Sequence, residues 1–81
     1  MNLFFKPSAR KQLKKPSKTE GRKVFKKIQI LKEAPFAGKT LSGEFEGMRS
    51  VRAWPYRIIY EIKKDSIIIY SIRHRQGSYK K

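Results

Sequence analysis

The sequence has no cysteine and a single histidine, His74, among its 81 residues. Without thiols there is no disulfide framework, no thiolate zinc site and no Cys nucleophile, and one imidazole cannot build a His-rich metal centre. Acids are scarce, with 6 Asp+Glu against 21 Lys+Arg and a formal net charge of +15. Long apolar runs are missing too. Leu3-Phe4-Phe5 is too short for a signal-peptide core, and no stretch approaches the roughly 20 apolar residues that span a bilayer, so a soluble cytoplasmic protein is expected. HExxH, Walker A and GxSxG patterns do not occur. A chain of this size buries only roughly 60–65% of its unfolded surface, which leaves room for a shallow active site at most. These absences point to one small basic domain over residues 1–81, with no cofactor and no metal.

What the sequence does hold is positive charge of two kinds. Residues 1–32 carry eleven basic side chains against one acid, Glu20, and nine of the eleven are Lys. Further on, Arg49, Arg52, Arg57, Arg73 and Arg75 are all Arg. Lys is a hydrated point charge suited to a solvated face, whereas the planar Arg fork grips a phosphate with two hydrogen bonds. The first part therefore reads as electrostatic surface, with Lys23, Lys26 and Lys27 as contacts for a polyanion such as nucleic acid, and the second part reads as a site.

The pattern predicts an α+β fold. Residues 2–6 form a short first strand stopped by Pro7. Ser8 caps a brief helix in which Ala9 and Leu13 stand at i, i+4, and Pro16 ends it. A second helix runs from about residue 18 to 34, with Val24, Phe25, Ile28 and Leu31 as its apolar stripe and Lys32 among its exposed charges. Residues 35–48, with Gly38, Gly43 and Gly47, read as a loop anchored by Phe36, Leu41 and Phe45. Residues 49–54, 56–63 and 66–73 read as strands of a twisted antiparallel sheet. In the second of these, alternation places Tyr56, Ile58, Tyr60 and Ile62 on one face and Arg57 and Glu61 on the other. The run Ile67-Ile68-Ile69-Tyr70 is apolar at both parities, which marks a central strand.

The candidate site residues are Arg49, Arg52, Arg57, His74, Arg75 and Tyr79, with Trp54 as a stacking surface in a turn. Alternation brings Arg52 and Arg57 to one exposed face, and Arg75 joins them from the next strand. Such a cluster repels itself unless an anion is expected there. The bland alternative is that each Arg is an independent surface residue, as charged strand residues commonly are. Glu44 and Glu46, two apart in a Gly-rich loop, read as solvated rather than as a carboxylate dyad.

Leu41-Ser-Gly43, Arg49-Ser-Val-Arg52, Tyr56-Arg-Ile-Ile-Tyr60, and His74-Arg75 followed by Tyr79 together resemble the RelE/ParE superfamily of toxins over nearly the whole chain. The order of strand, two helices and sheet fits that family. The resemblance implies a toxin paired with an acidic antitoxin. Its RelE branch consists of endoribonucleases that cut messenger RNA in the ribosomal A site, and its ParE branch poisons DNA gyrase. The basic sheet positions favour the ribonuclease, with gyrase inhibition as the alternative. On this resemblance Arg57 and Arg75 hold the scissile phosphate, Arg52 orients it and Tyr79 stacks on the nucleotide, while the 2′-hydroxyl attacks phosphorus without a metal. Positions where relatives carry a base hold Ser50, Arg52 and Lys39 here, and Arg deprotonates nothing near neutral pH. His74 is then the proton-transfer candidate, with Glu46 and Glu61 behind it.

Overall fold

The computed structural model describes residues 2–74. Strand β1 (Asn2–Phe5) leads into helices α1 (Pro7–Leu13) and α2 (Lys18–Glu33); β2 (Lys39–Thr40), β3 (Arg49–Ala53), β4 (Tyr56–Lys63) and β5 (Ser66–His74) follow. The strands form one sheet in the order β1-β5-β4-β3-β2. The α+β class and the element order agree with the sequence, with two amendments. Residues 35–48 are more than a loop, because they hold β2 between two 3-10 turns, Pro35–Ala37 and Gly43–Phe45. The sheet is mixed, because β1 runs parallel to β5 while the other neighbours are antiparallel.

Both helices pack on one face of the sheet. Helix α1 begins at Pro7, whose fixed φ suits a first turn. Ser8 does not cap it; its hydroxyl donates instead to the Tyr70 carbonyl at 3.2 Å. Helix α2 is capped by Ser17, whose Oγ accepts from the Glu20 N–H at 3.2 Å. Val24, Ile28 and Leu31 of α2 are fully buried against Ile58, Tyr60, Ile67, Ile69 and Ile72, each such aliphatic side chain contributing about 2 kcal/mol. Phe25 does not belong to that stripe: one position past Val24, it is 51% exposed. Phe36 is likewise exposed rather than a buried anchor. Among the described residues, no helix is long and apolar enough to cross a membrane.

Tyr60 ties the sheet to the chain leaving α2. Its hydroxyl donates to the Pro35 carbonyl at 2.7 Å and accepts from the Gly38 N–H at 3.0 Å. A Cβ at position 38 would lie 2.6 Å from that hydroxyl, so only glycine fits there.

A β-bulge in the last strand decides which side chains face where. Tyr60 pairs with Ile69, yet Ile59 pairs with Ser71, so Tyr70 is the extra residue on β5. Beyond it the alternation changes phase: Ile67 and Ile69 face the helices, and then so does Ile72. Helix α1 covers the β5 edge that outlasts β1. Ser8 takes the Tyr70 carbonyl, and the Gln12 Oε1 accepts the Ile72 N–H at 2.7 Å. Lys6 lies over the Tyr70 ring, with its ammonium 5.2 Å from the ring centroid.

Candidate functional site

The face of the sheet turned away from the helices carries a row of arginines. Arg52 of β3 stands opposite Arg57 of β4, and Arg57 stands opposite Arg73 of β5. Three guanidinium groups thus leave adjacent strands at one register level and on one side. Arg52 and Arg73 are exposed and Arg57 is half-buried. Arg73 is held in place: its Nε donates to the Ser71 hydroxyl at 3.2 Å, and its guanidinium lies 5.5 Å from the centroid of the Phe45 ring. Three cations at one level of neighbouring strands concentrate positive charge there, which suits an anion.

Arg73 was not singled out as a site residue from the sequence. Without the bulge at Tyr70 it would fall opposite Tyr56, on the helix face. The sequence gives no local signal of this, because Ile67, Ile68, Ile69 and Tyr70 are apolar at both parities. Lys39 was also missed, because residues 35–48 read as a loop. Its pairing with Ser50 places it on the arginine face, diagonal to Arg52.

The other candidates are dispersed. Arg75 and Tyr79 lie outside the described residues. His74 leaves β5 on the helix side, where its ring meets the Tyr56 ring edge-on at 5.2 Å. It therefore stands across the sheet from the arginine row. Arg49 also faces the helix side. Its Nη1 donates to the carbonyls of Gly38 (2.9 Å) and Phe36 (3.4 Å), and its guanidinium stacks 4.9 Å from the Phe36 ring centroid. The structure thus gives Arg49 the task of fastening the segment after α2. Trp54 is 56% exposed in the β3–β4 turn, two residues from Arg52. Lys23 and Lys26 are exposed and Lys27 half-buried on α2, so they belong to a second basic surface on the helix side.

Two tyrosines on opposite faces hold carboxylates. Tyr56 donates to the Glu20 Oε1 at 3.3 Å, and partial burial, reinforced by the Glu20 charge, raises its phenol above the usual value near 10. Tyr70 donates to the Glu61 Oε1 at 3.0 Å, and that hydrogen bond raises its phenol likewise. Glu61, the acid β4 carries on the arginine face, is therefore engaged one bulge away from the row. Glu46 is exposed beside Phe45.

The fold recurs in solved structures. The toxin–antitoxin complex RelBE2 of Mycobacterium tuberculosis matches with 28% identity and a TM-score of 0.82, covering 91% of this chain and 96% of that one. The YoeB/ParE toxin of Agrobacterium tumefaciens matches with 21% identity and a TM-score of 0.80, covering 91% and 98%. The intact RelBE toxin–antitoxin complex of E. coli matches with 21% identity and a TM-score of 0.76, covering 90% and 94%. No curated protein sequence matches the chain. A family model described as the ParE toxin of the type II toxin–antitoxin system parDE matches residues 3–79, nearly the full length, and the chain belongs to that family of toxins.

Proposed function

We propose that this toxin is a metal-independent endoribonuclease that cuts messenger RNA on the ribosome. The observation that carries the reading is the Arg52–Arg57–Arg73 row on the face of the sheet turned away from the helices. In the reaction the 2′-oxygen forms a bond to the adjacent phosphorus and the bond to the 5′-oxygen breaks. A cyclic phosphate and a 5′-hydroxyl result. The phosphorane-like transition state carries more negative charge on its oxygens than the substrate, and fixed guanidiniums stabilise that added charge. Arg73, held by Ser71 and Phe45, is preorganised for it. Lys39 adds a fourth cation from the neighbouring edge strand. With His74 on the other face, the row acts by charge, and water takes the 2′-hydroxyl proton and supplies the one the 5′-oxygen gains. The RelE resemblance supports the ribosome as the place of cutting. An antitoxin with an acidic segment is the expected protein partner, because it would exchange the repulsion within the row for charge-assisted contacts.

A second reading is inhibition of DNA gyrase without nuclease activity, and the match to the ParE family model favours it. One experiment separates the two. After induction, primer extension on translated messages is compared with gyrase-dependent DNA breakage. The ribonuclease reading expects cut messages and intact DNA, with cutting reduced at least a hundredfold in Arg57→Ala, on the scale of losing one transition-state donor. Whole messages with broken DNA would establish the gyrase reading instead.

A further inference from the structure

The helix side of β5 holds a cleft that the arginine row does not account for. This cleft, of about 370 Å³, lies where α1 meets the end of that strand, lined by Gln12, Lys15, Tyr56, Ile72, Arg73 and His74. Its construction follows from the way α1 covers the β5 edge. Ser8 and Gln12 stand at i and i+4 on one face of α1, and Lys15 follows in the turn after the helix. The first two bond the Tyr70 carbonyl and the Ile72 N–H. Because the Gln12 Oε1 accepts from that N–H, the NH2 end of the amide is turned away from the strand. Lys15 lines the cleft from that turn, beside a wall formed by the Tyr56 and His74 rings. The carboxylate that reaches this wall, Glu20, is bonded to the Tyr56 hydroxyl.

We infer that this cleft is a subsite for a backbone phosphate of single-stranded RNA, next to the one held on the arginine row. The inference rests on the ribonuclease reading and extends its substrate from one scissile step to a longer strand. Arg73 and His74 are consecutive on β5, so they point to opposite faces at the same strand end. Arg73 belongs to the row and also lines the cleft, which makes the two sites contiguous around that end. An RNA strand turning there exchanges the row for Lys15 and the Gln12 amide, and a base meets the Tyr56 and His74 rings that line the cleft. The chemistry recognised is phosphate with an adjoining π-face, which belongs to nucleic acid.

The test uses the full-length protein and fluorescent 2′-O-methyl RNA, which binds but cannot be cut. A dinucleotide occupies the row alone, and a hexanucleotide also reaches the cleft. Lys15→Ala is expected to weaken hexanucleotide binding about threefold, the scale of one exposed ion pair, and to leave dinucleotide binding unchanged. It also lowers the slope of log affinity against log salt by about 0.7, one single-strand phosphate contact. Lys32→Ala removes the same charge from the far end of α2 and is expected to change neither the length preference nor the slope. If Lys15→Ala and Lys32→Ala weaken both oligonucleotides alike, Lys15 contributes only long-range attraction and the subsite is refuted. If Lys15→Ala leaves RNA binding intact but weakens binding of an acidic peptide, the cleft belongs to a protein partner and the inference is overturned. Failure of the ribonuclease reading looks different: Arg57→Ala then leaves binding of both oligonucleotides unchanged.

Discussion

Tyr60 shows how a single buried polar group shapes this small domain. A phenol with no exposed surface would be costly without partners; here it meets a carbonyl and an N–H of the same short segment, Pro35 and Gly38. Burial and hydrogen bonding together hold that segment to the sheet, and Arg49 adds its own bonds to the Phe36 and Gly38 carbonyls. This fastening sets the start of β2 and so the position of Lys39. Gly38→Ala places a Cβ 2.6 Å from the Tyr60 hydroxyl and 2.7 Å from the Ser50 carbonyl oxygen, so overpacking is expected to cost about 1–3 kcal/mol. Urea denaturation measures it, and an alanine variant as stable as the parent would show that the segment yields.

At the scale of elements, α1 is joined to β5 by two side chains reaching backbone groups that β1 is too short to pair. Gln12→Ala leaves the Ile72 N–H without its acceptor and is expected to destabilise the fold by about 1–2 kcal/mol. Hydrogen exchange reads this locally: the Ile72 amide exchanges faster, while that of Ile67, under β1, keeps its protection beyond the global change. Most elements were legible in the sequence, because proline, the apolar stripe of α2 and period-two alternation in β4 are local signals. The parallel pairing of β1 with β5 was not, because partner and direction are set by packing between distant segments. The bulge was hidden for a related reason: Ile67-Ile68-Ile69-Tyr70 is apolar at every position, so the alternation that reveals a phase change is silent where the change occurs. One unpaired residue therefore kept Arg73 out of the site as read from sequence, although Arg52 and Arg57, one hairpin apart, were legible as a pair.

For the whole molecule, the charge divides between two faces. The helix side carries dispersed lysines, which supply long-range attraction to a polyanion, and the opposite side carries the aligned arginines. Arg52→Ala is expected to leave thermal stability unchanged or raise it by about 0.5 kcal/mol, the size of one cross-strand term, while growth arrest is lost. A variant that melts early and loses toxicity together would assign Arg52 a structural role. The parallel strand pair has a further consequence, in time rather than in space. Asn2 pairs with Ser66, so the first strand waits for nearly the entire chain before it finds its neighbour, and such non-local pairing is slow to form. The hairpin of β3 and β4 can bring together Arg52 and Arg57 earlier, but Arg73 arrives with β5. The complete row is thus a property of the finished polypeptide, and a chain cut short before β5 carries two arginines of the three.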